Sequence, residues 1–119
     1  MPLFRRKKES QPKVSDDQAL ITYLPLSGDE YGTVDEREAV FALETRVEQA
    51  VARLGGEHDG NEFGEGQAIL YTYGPDADAL LHALRNALDD FPVREGAYAI
   101  KRYGRADDAQ ARTERVELP

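Results

Sequence analysis

Apolar residues in this chain follow two rhythms, one helical and one extended. Val40, Leu43, Val47, Val51 and Leu54 recur at steps of three and four, and Ala77, Leu80, Leu81, Leu84 and Leu88 repeat the pattern. Each set puts one apolar stripe on a helix that has to be buried against something. Thr33-Val34-Asp35-Glu36 opens the first helix as a capping box, in which the Thr hydroxyl and the Glu carboxylate satisfy backbone donors that the helix leaves orphaned. Gly55-Gly56 closes it, with Gly55 suited to a left-handed residue after the last turn. Gly74-Pro75-Asp76 starts the second helix, and Asp89-Asp90-Phe91-Pro92 ends it.

Between the helices lie extended runs. Gln18 to Leu26 is apolar, contains β-branched and aromatic residues, and stops at Ser27-Gly28-Asp29, so it reads as a buried strand that either ends at Pro25 or leaves the sheet there. Gln67 to Tyr73 is apolar on both faces until its end, as a central strand is. Gly96 to Tyr103 and the alternating Arg112 to Leu118 supply two more strands. Glu57 to Phe63 is polar, has the turn signals Asp59-Gly60 and Gly64-Glu65-Gly66 on either side of Asn61-Glu62-Phe63, and reads either as a charged, exposed edge strand or as a loop. An exposed edge of this kind is also open to a sheet-extending homodimer.

The resulting order, β-α-β-β-α-β with a trailing strand, predicts an α+β domain of the ferredoxin-like split βαβ kind, with two helices on one face of an antiparallel sheet. Its 119 residues suit one domain. Residues 1–14 read as a disordered basic tail and 15–119 as the folded unit. Five basic residues against Glu9 leave +4 over the first thirteen positions, and the other ten basic and 22 acidic residues leave −12. The tail is therefore capable of weak contact with an anionic surface, while the folded part repels polyanions.

That charge decides one question directly. Ile21 to Leu26 and Glu65 to Thr72 faintly echo the two signatures of an RNA-recognition sheet, but the second lacks its leading basic residue and two stacking aromatics. Since phosphate binding rests on Lys and Arg displacing counterions, a −12 domain is not expected to bind nucleic acid. There is no Cys, hence no thiolate nucleophile and no Cys-based metal site, and no glycine-rich phosphate loop, so no cofactor is expected. No window approaches the ~18 apolar residues of a membrane span, and the basic start Arg5-Arg6-Lys7-Lys8 is followed by no apolar stretch, which points to a cytoplasmic protein. Arg outnumbers Lys 11 to 4, a bias that goes with a GC-rich bacterial genome.

The densest polar constellation is Glu57-His58-Asp59-Gly60-Asn61-Glu62, with Glu65 just beyond. As a calcium loop begun at Asp59 it fails, because its twelfth position is Leu70 rather than a bidentate Glu. A zinc or manganese site on His58, Asp59 and Glu62 is chemically conceivable, and with it a ligand-binding or enzymatic use of this region. The leading expectation is different: Glu57, Asp59, Glu62 and Glu65 form an acidic edge for a basic protein. Tyr71, Tyr73, Arg102 and Tyr103 are its anchors, being residue types that protein interfaces favour. His82 falls at the boundary of the second stripe.

The segments from Asp59 to Gly64, Ala68 to Leu80 and Tyr98 to Gly104 resemble small actinobacterial proteins of this size. More distantly, the arrangement of elements from Gly56 to Leu118 is similar to the family of the regulator of ribonuclease E activity B. That resemblance implies an acidic, ferredoxin-like protein that acts by binding a ribonuclease and performs no catalysis itself. It carries over no individual residue, and it favours a nuclease regulator or an immunity-like inhibitor as the biological role.

Overall fold

A computed structural model describes the backbone of residues 4–7 and the whole of residues 17–118. The elements are β1 (Phe4–Lys7), β2 (Gln18–Pro25), α1 (Val34–Ala52), β3 (Glu57–Gly64), β4 (Gln67–Gly74), α2 (Ala77–Ala87) continued by a 3-10 turn at Leu88–Asp90, β5 (Tyr98–Arg102) and β6 (Thr113–Glu117). The architecture is α+β, with the strands joined in one sheet of order β1-β3-β4-β2-β5-β6. Every neighbouring pair is antiparallel. α1 rests on β3 and β4, α2 rests on β2, β4 and β5, and the two helices touch each other, so both cover one side of the sheet.

Local chemistry sets each helix boundary. The Thr33 hydroxyl accepts from the Glu36 backbone N–H, and the Glu36 carboxylate accepts from the Thr33 N–H, completing the expected capping box. After the last turn of α1 the chain passes through Gly55 at φ +74°, and the Gly56 N–H closes onto the Val51 carbonyl at 2.8 Å. Asp76 caps α2 by accepting from the Asp78 and Ala79 N–H groups. Val40, Leu43, Val47 and Val51 are buried as the stripe requires. Leu54 lies beyond the end of α1 and is exposed, because the chain has already turned toward Gly55.

Strand alternation fixes the two faces. Leu20, Thr22 and Leu24 of β2 face the helices together with Ala68, Leu70 and Thr72 of β4, and all six are buried. With Leu80 and Leu84 of α2 and Phe63 of β3 they build the core. Fully burying one such Leu or Phe contributes roughly 1.5–3 kcal/mol relative to leaving it exposed.

Three expectations are corrected. Phe4–Lys7, read as part of a disordered tail, pair as β1 with β3, Phe4 opposite Phe63 and Lys7 opposite Gly60; the remainder of that tail lies outside the described residues. Residues 57–63, left open between edge strand and loop, lie in the strand β3 (Glu57–Gly64) between β1 and β4, so β3 is not an edge and its outer side is not free for sheet extension. Asp59-Gly60, read as a turn, is an irregularity within that strand. The register with β4 slips by one residue between His58 and Gly60, and Gly60 at φ +121° takes up a backbone conformation that side-chain-bearing residues avoid. The actual turn is Glu65-Gly66, both at positive φ, a two-residue hairpin of the type that matches strand twist. Among the described residues no helix is long and apolar enough to cross a membrane.

Candidate interaction face

Among the described residues, no helix or further strand packs on the side of the sheet away from the helices. Its residues stand in three cross-strand rows defined by the register. One row runs Glu62, Ile69, Tyr23, Tyr98, Glu117; the next runs Gly60, Tyr71, Ile21, Ile100, Arg115. The third runs Glu57, Tyr73, Ala19, Arg102, Thr113. The centre is aliphatic and aromatic. Tyr23, Tyr71, Tyr73 and Tyr98 are each half-buried.

Direct contacts hold this layer in place. Tyr23 and Tyr98 stack with ring centroids 4.6 Å apart and planes 15° from parallel. The Arg115 guanidinium covers the outer face of Tyr98 at 3.7 Å and donates from Nε to Glu117 at 2.6 Å. The Tyr71 hydroxyl donates a short hydrogen bond to the Glu62 carboxylate. Burial, the neighbouring Tyr98 and the Glu62 carboxylate push the Tyr23 hydroxyl above its ordinary value, so it stays a neutral donor. Stacked rings with a guanidinium over them are pre-ordered contact surface, which lowers the entropy lost when a partner docks.

Five of the eight expected partner-binding residues share this face: Glu57, Glu62, Tyr71, Tyr73 and Arg102. The other three stand elsewhere. Glu65 is exposed on the hairpin turn, and Asp59 is buried at the irregular step of β3. Tyr103, one residue past β5, turns to the helix side. Its hydroxyl donates to Asp78 Oδ1 at 2.6 Å and lies 3.2 Å from Glu114 Oε1. Lys101 joins this cluster, 2.7 Å from Glu114 and 2.9 Å from Asp78. Glu114, Tyr103 and Asp78 together hold its ammonium well above the ordinary lysine range. Reading by strand run missed Tyr23, Tyr98 and Ile100. Alternation would have found them, because each of the three central strands carries its Tyr and Ile at every second position.

The conceivable metal ligands separate. His58 turns to the helix side, where its Nε2 lies 2.6 Å from Glu44 Oε1, while Glu62 is on the open face. Among the described residues no three His, Asp or Glu side chains converge as metal ligands would. His82 is exposed on α2.

Glu44 is the residue the apolar stripe concealed. It lies on the buried side of α1, 9% exposed, and its second oxygen accepts from Asn61 Nδ2 at 2.6 Å. Since a carboxylate only accepts, Nε2 of His58 carries the proton toward it. Among the described residues His58 Nδ1, Asn61 Oδ1 and Thr22 Oγ1 are buried without a hydrogen-bond partner. This triad ties α1 to β3 beneath the same sheet whose outer surface carries the Tyr and Ile rows. Compared with known proteins, the chain matches no family model, no curated protein and no solved structure.

Proposed function

We propose that this chain is a non-enzymatic protein-interaction domain that docks its partner on the open face of the sheet. The observation that carries this reading is the sheet face on which, among the described residues, no helix packs: a centre of Ile and Tyr bordered by charged residues on both flanks. An apolar, aromatic centre with a polar rim is the anatomy of a protein–protein contact. The chain's net charge of −8 argues against nucleic acid on the same face and favours a partner that brings a cation to Glu57. A cytoplasmic nuclease regulator or immunity-like inhibitor fits these properties. In the same reading, β3-β4-β2-β5 with α1 and α2 is a ferredoxin-like split βαβ unit carrying an added strand at each edge; the strand order and the shared helix side support it.

The test is affinity capture with the tagged full chain from native lysate at low salt, run beside Ile100→Glu, which places a charge in the centre of the face. The expected result is a discrete protein that elutes as salt rises and is absent from the variant, with the variant's melting temperature close to wild type. Equal capture by both proteins, or no retained protein, overturns the proposal.

A further inference from the structure

We infer that the outer edge of β6 is a docking site of its own, distinct from the open face, and that it takes an extended, lysine-bearing segment of another protein as an added antiparallel strand. β6 closes the sheet order, so among the described residues no strand lies beyond it. Its ladder with β5 shows which backbone groups are left over. The Leu118 N–H donates to the Ala97 carbonyl and the Tyr103 N–H to the Arg112 carbonyl, each at 2.9 Å, and the register between those ends is unbroken. Hydrogen-bonded pairs alternate along an antiparallel ladder, so Glu114 and Val116 spend their N–H and C=O on β5. Thr113, Arg115 and Glu117 turn theirs outward, a donor and an acceptor at every second residue. That spacing is the one a further strand matches.

Side chains decide which strand fits. Sheet edges are commonly closed by Lys, Pro, a bulge or a covering element. Thr113-Glu114-Arg115-Val116-Glu117 holds neither Lys nor Pro, keeps an even register with β5, and is exposed except at half-buried Val116. The opposite edge differs in sign: three of the four residues of β1 are basic, so it repels the same segment. On β6, Glu114 stands on the helix side and Glu117 on the open side. One oxygen of Glu114 serves Lys101 and Tyr103, and one oxygen of Glu117 serves Arg115. Glu114 Oε2 and Glu117 Oε1 have no hydrogen-bond partner among the described residues. Between the two carboxylates Val116 packs against the core. A matching strand therefore sets lysines opposite Glu114 and Glu117 and an aliphatic residue opposite Val116, whereas a wholly apolar strand would cover carboxylates without compensating them. The chain's net charge of −8 attracts the same cationic segment.

The probe is a capped peptide containing Lys-Val-Thr-Lys-Thr, which runs antiparallel to β6 and sets its residues opposite Glu117, Val116, Arg115, Glu114 and Thr113 in turn. Titrated into the chain, it is expected to bind with a Kd on the order of 100 µM and more weakly as salt rises. Amide exchange is expected to slow at Thr113, Arg115 and Glu117, whose N–H groups the added strand covers. Methylating peptide nitrogens separates strand addition from charge attraction without altering the protein. A methyl on the Thr opposite Arg115, whose N–H faces β6, is expected to weaken binding about tenfold or more. A methyl on the Lys opposite Glu114, whose N–H points away, is expected to leave it unchanged. Ile100→Glu, the variant that tests the open face, is expected to bind the peptide as wild type does, so the two sites stand or fall separately. Equal affinity for both methylated peptides overturns the proposal, as does exchange protection centred on β2 and β4, loss of binding in Ile100→Glu, or no binding at about 1 mM peptide.

Discussion

Glu44 of α1 and His58 of β3 meet at 2.6 Å with almost no solvent around either, and Asn61 supplies the second hydrogen bond to the same carboxylate. Burying this triad is not itself a gain over a well-packed apolar cluster, but breaking it is costly. Glu44→Ala is expected to lose about 3–5 kcal/mol, because it leaves the His58 and Asn61 donors buried without an acceptor. The triple replacement Glu44→Leu, His58→Leu, Asn61→Leu is expected to recover most of that loss. Urea denaturation of the three proteins gives the comparison, and a single variant as stable as wild type would show the triad to be solvated.

The Glu36 carboxylate does more than close a capping box. Beside the Thr33 N–H it also accepts the Ser27 N–H, at 2.9 and 3.1 Å from its two oxygens, which fastens the end of β2 to the start of α1. Burial pushes its carboxyl up, but the hydrogen bonds from Thr33 and Ser27 outweigh it and hold the group below the ordinary glutamate range. Thr33→Ala is expected to cost about 1 kcal/mol, and Glu36→Ala more, since it releases both attachments. Thermal melts rank the two, and amide exchange at Ser27 should accelerate only in the second.

At the other end of the molecule, Tyr103 and Lys101 hold the Asp78 carboxyl below its ordinary 3.8, and Lys101 holds Glu114 below 4.5. Their contribution is complete above those ordinary values and disappears as pH falls through the lowered ones. Lys101 is raised from 10.5, so its contribution is complete below that pH and disappears only as pH rises through the raised value. Urea midpoints should thus fall on the acid side below about pH 4 and hold steady through neutrality. Asp78→Asn should sit below wild type at pH 7 and low salt, converge with it by about pH 3, and lose the difference in high salt because Asp78 is exposed. A gap that persists at pH 3 would assign the effect to packing instead.

Gly56 is fixed by crowding. A Cβ there would lie 2.6 Å from the Tyr73 carbonyl oxygen and 3.2 Å from that of Val51. Neither backbone can give way without moving β4 or the end of α1, so Gly56→Ala is expected to cost about 1–3 kcal/mol. Gly66→Ala is the control, since open space surrounds the added carbon although Gly66 has φ +78°. It is expected to pay only for that backbone conformation, about 1 kcal/mol, and denaturant midpoints compare the two.

The helices and the three central strands were legible because each obeys one rule, a stripe at steps of three and four or an apolar run between turn residues. Val40, Leu43, Val47 and Val51 of α1, and the Thr33–Glu36 cap, follow that rule without exception. Glu44 was not legible, because a carboxylate on a buried stripe is recognised only when its donors on another element are known. Phe4–Lys7 was concealed by composition: a basic run has no apolar pattern, and its pairing depends on a strand more than fifty residues away. The open face was half legible. Tyr71 and Tyr73 stood out as aromatics, whereas Tyr23 and Tyr98 are joined only by the register of β2 and β5.

The slipped register in β3 has a consequence for what that strand can encode. His58 and Asn61 are three residues apart, a separation that in an unbroken strand sends two side chains to opposite faces. The extra residue at Asp59 reverses the phase, so both reach the same Glu44 carboxylate while Glu57 and Glu62, five apart, both remain on the open face. One inserted position thus lets a single strand serve two surfaces, a sealed polar clasp within and a charged margin without. Deleting Asp59 would leave Glu57 and His58 on their present sides in an even ladder, whereas drawing Asp59 into the ladder would trade them, turning Glu57 inward and His58 outward.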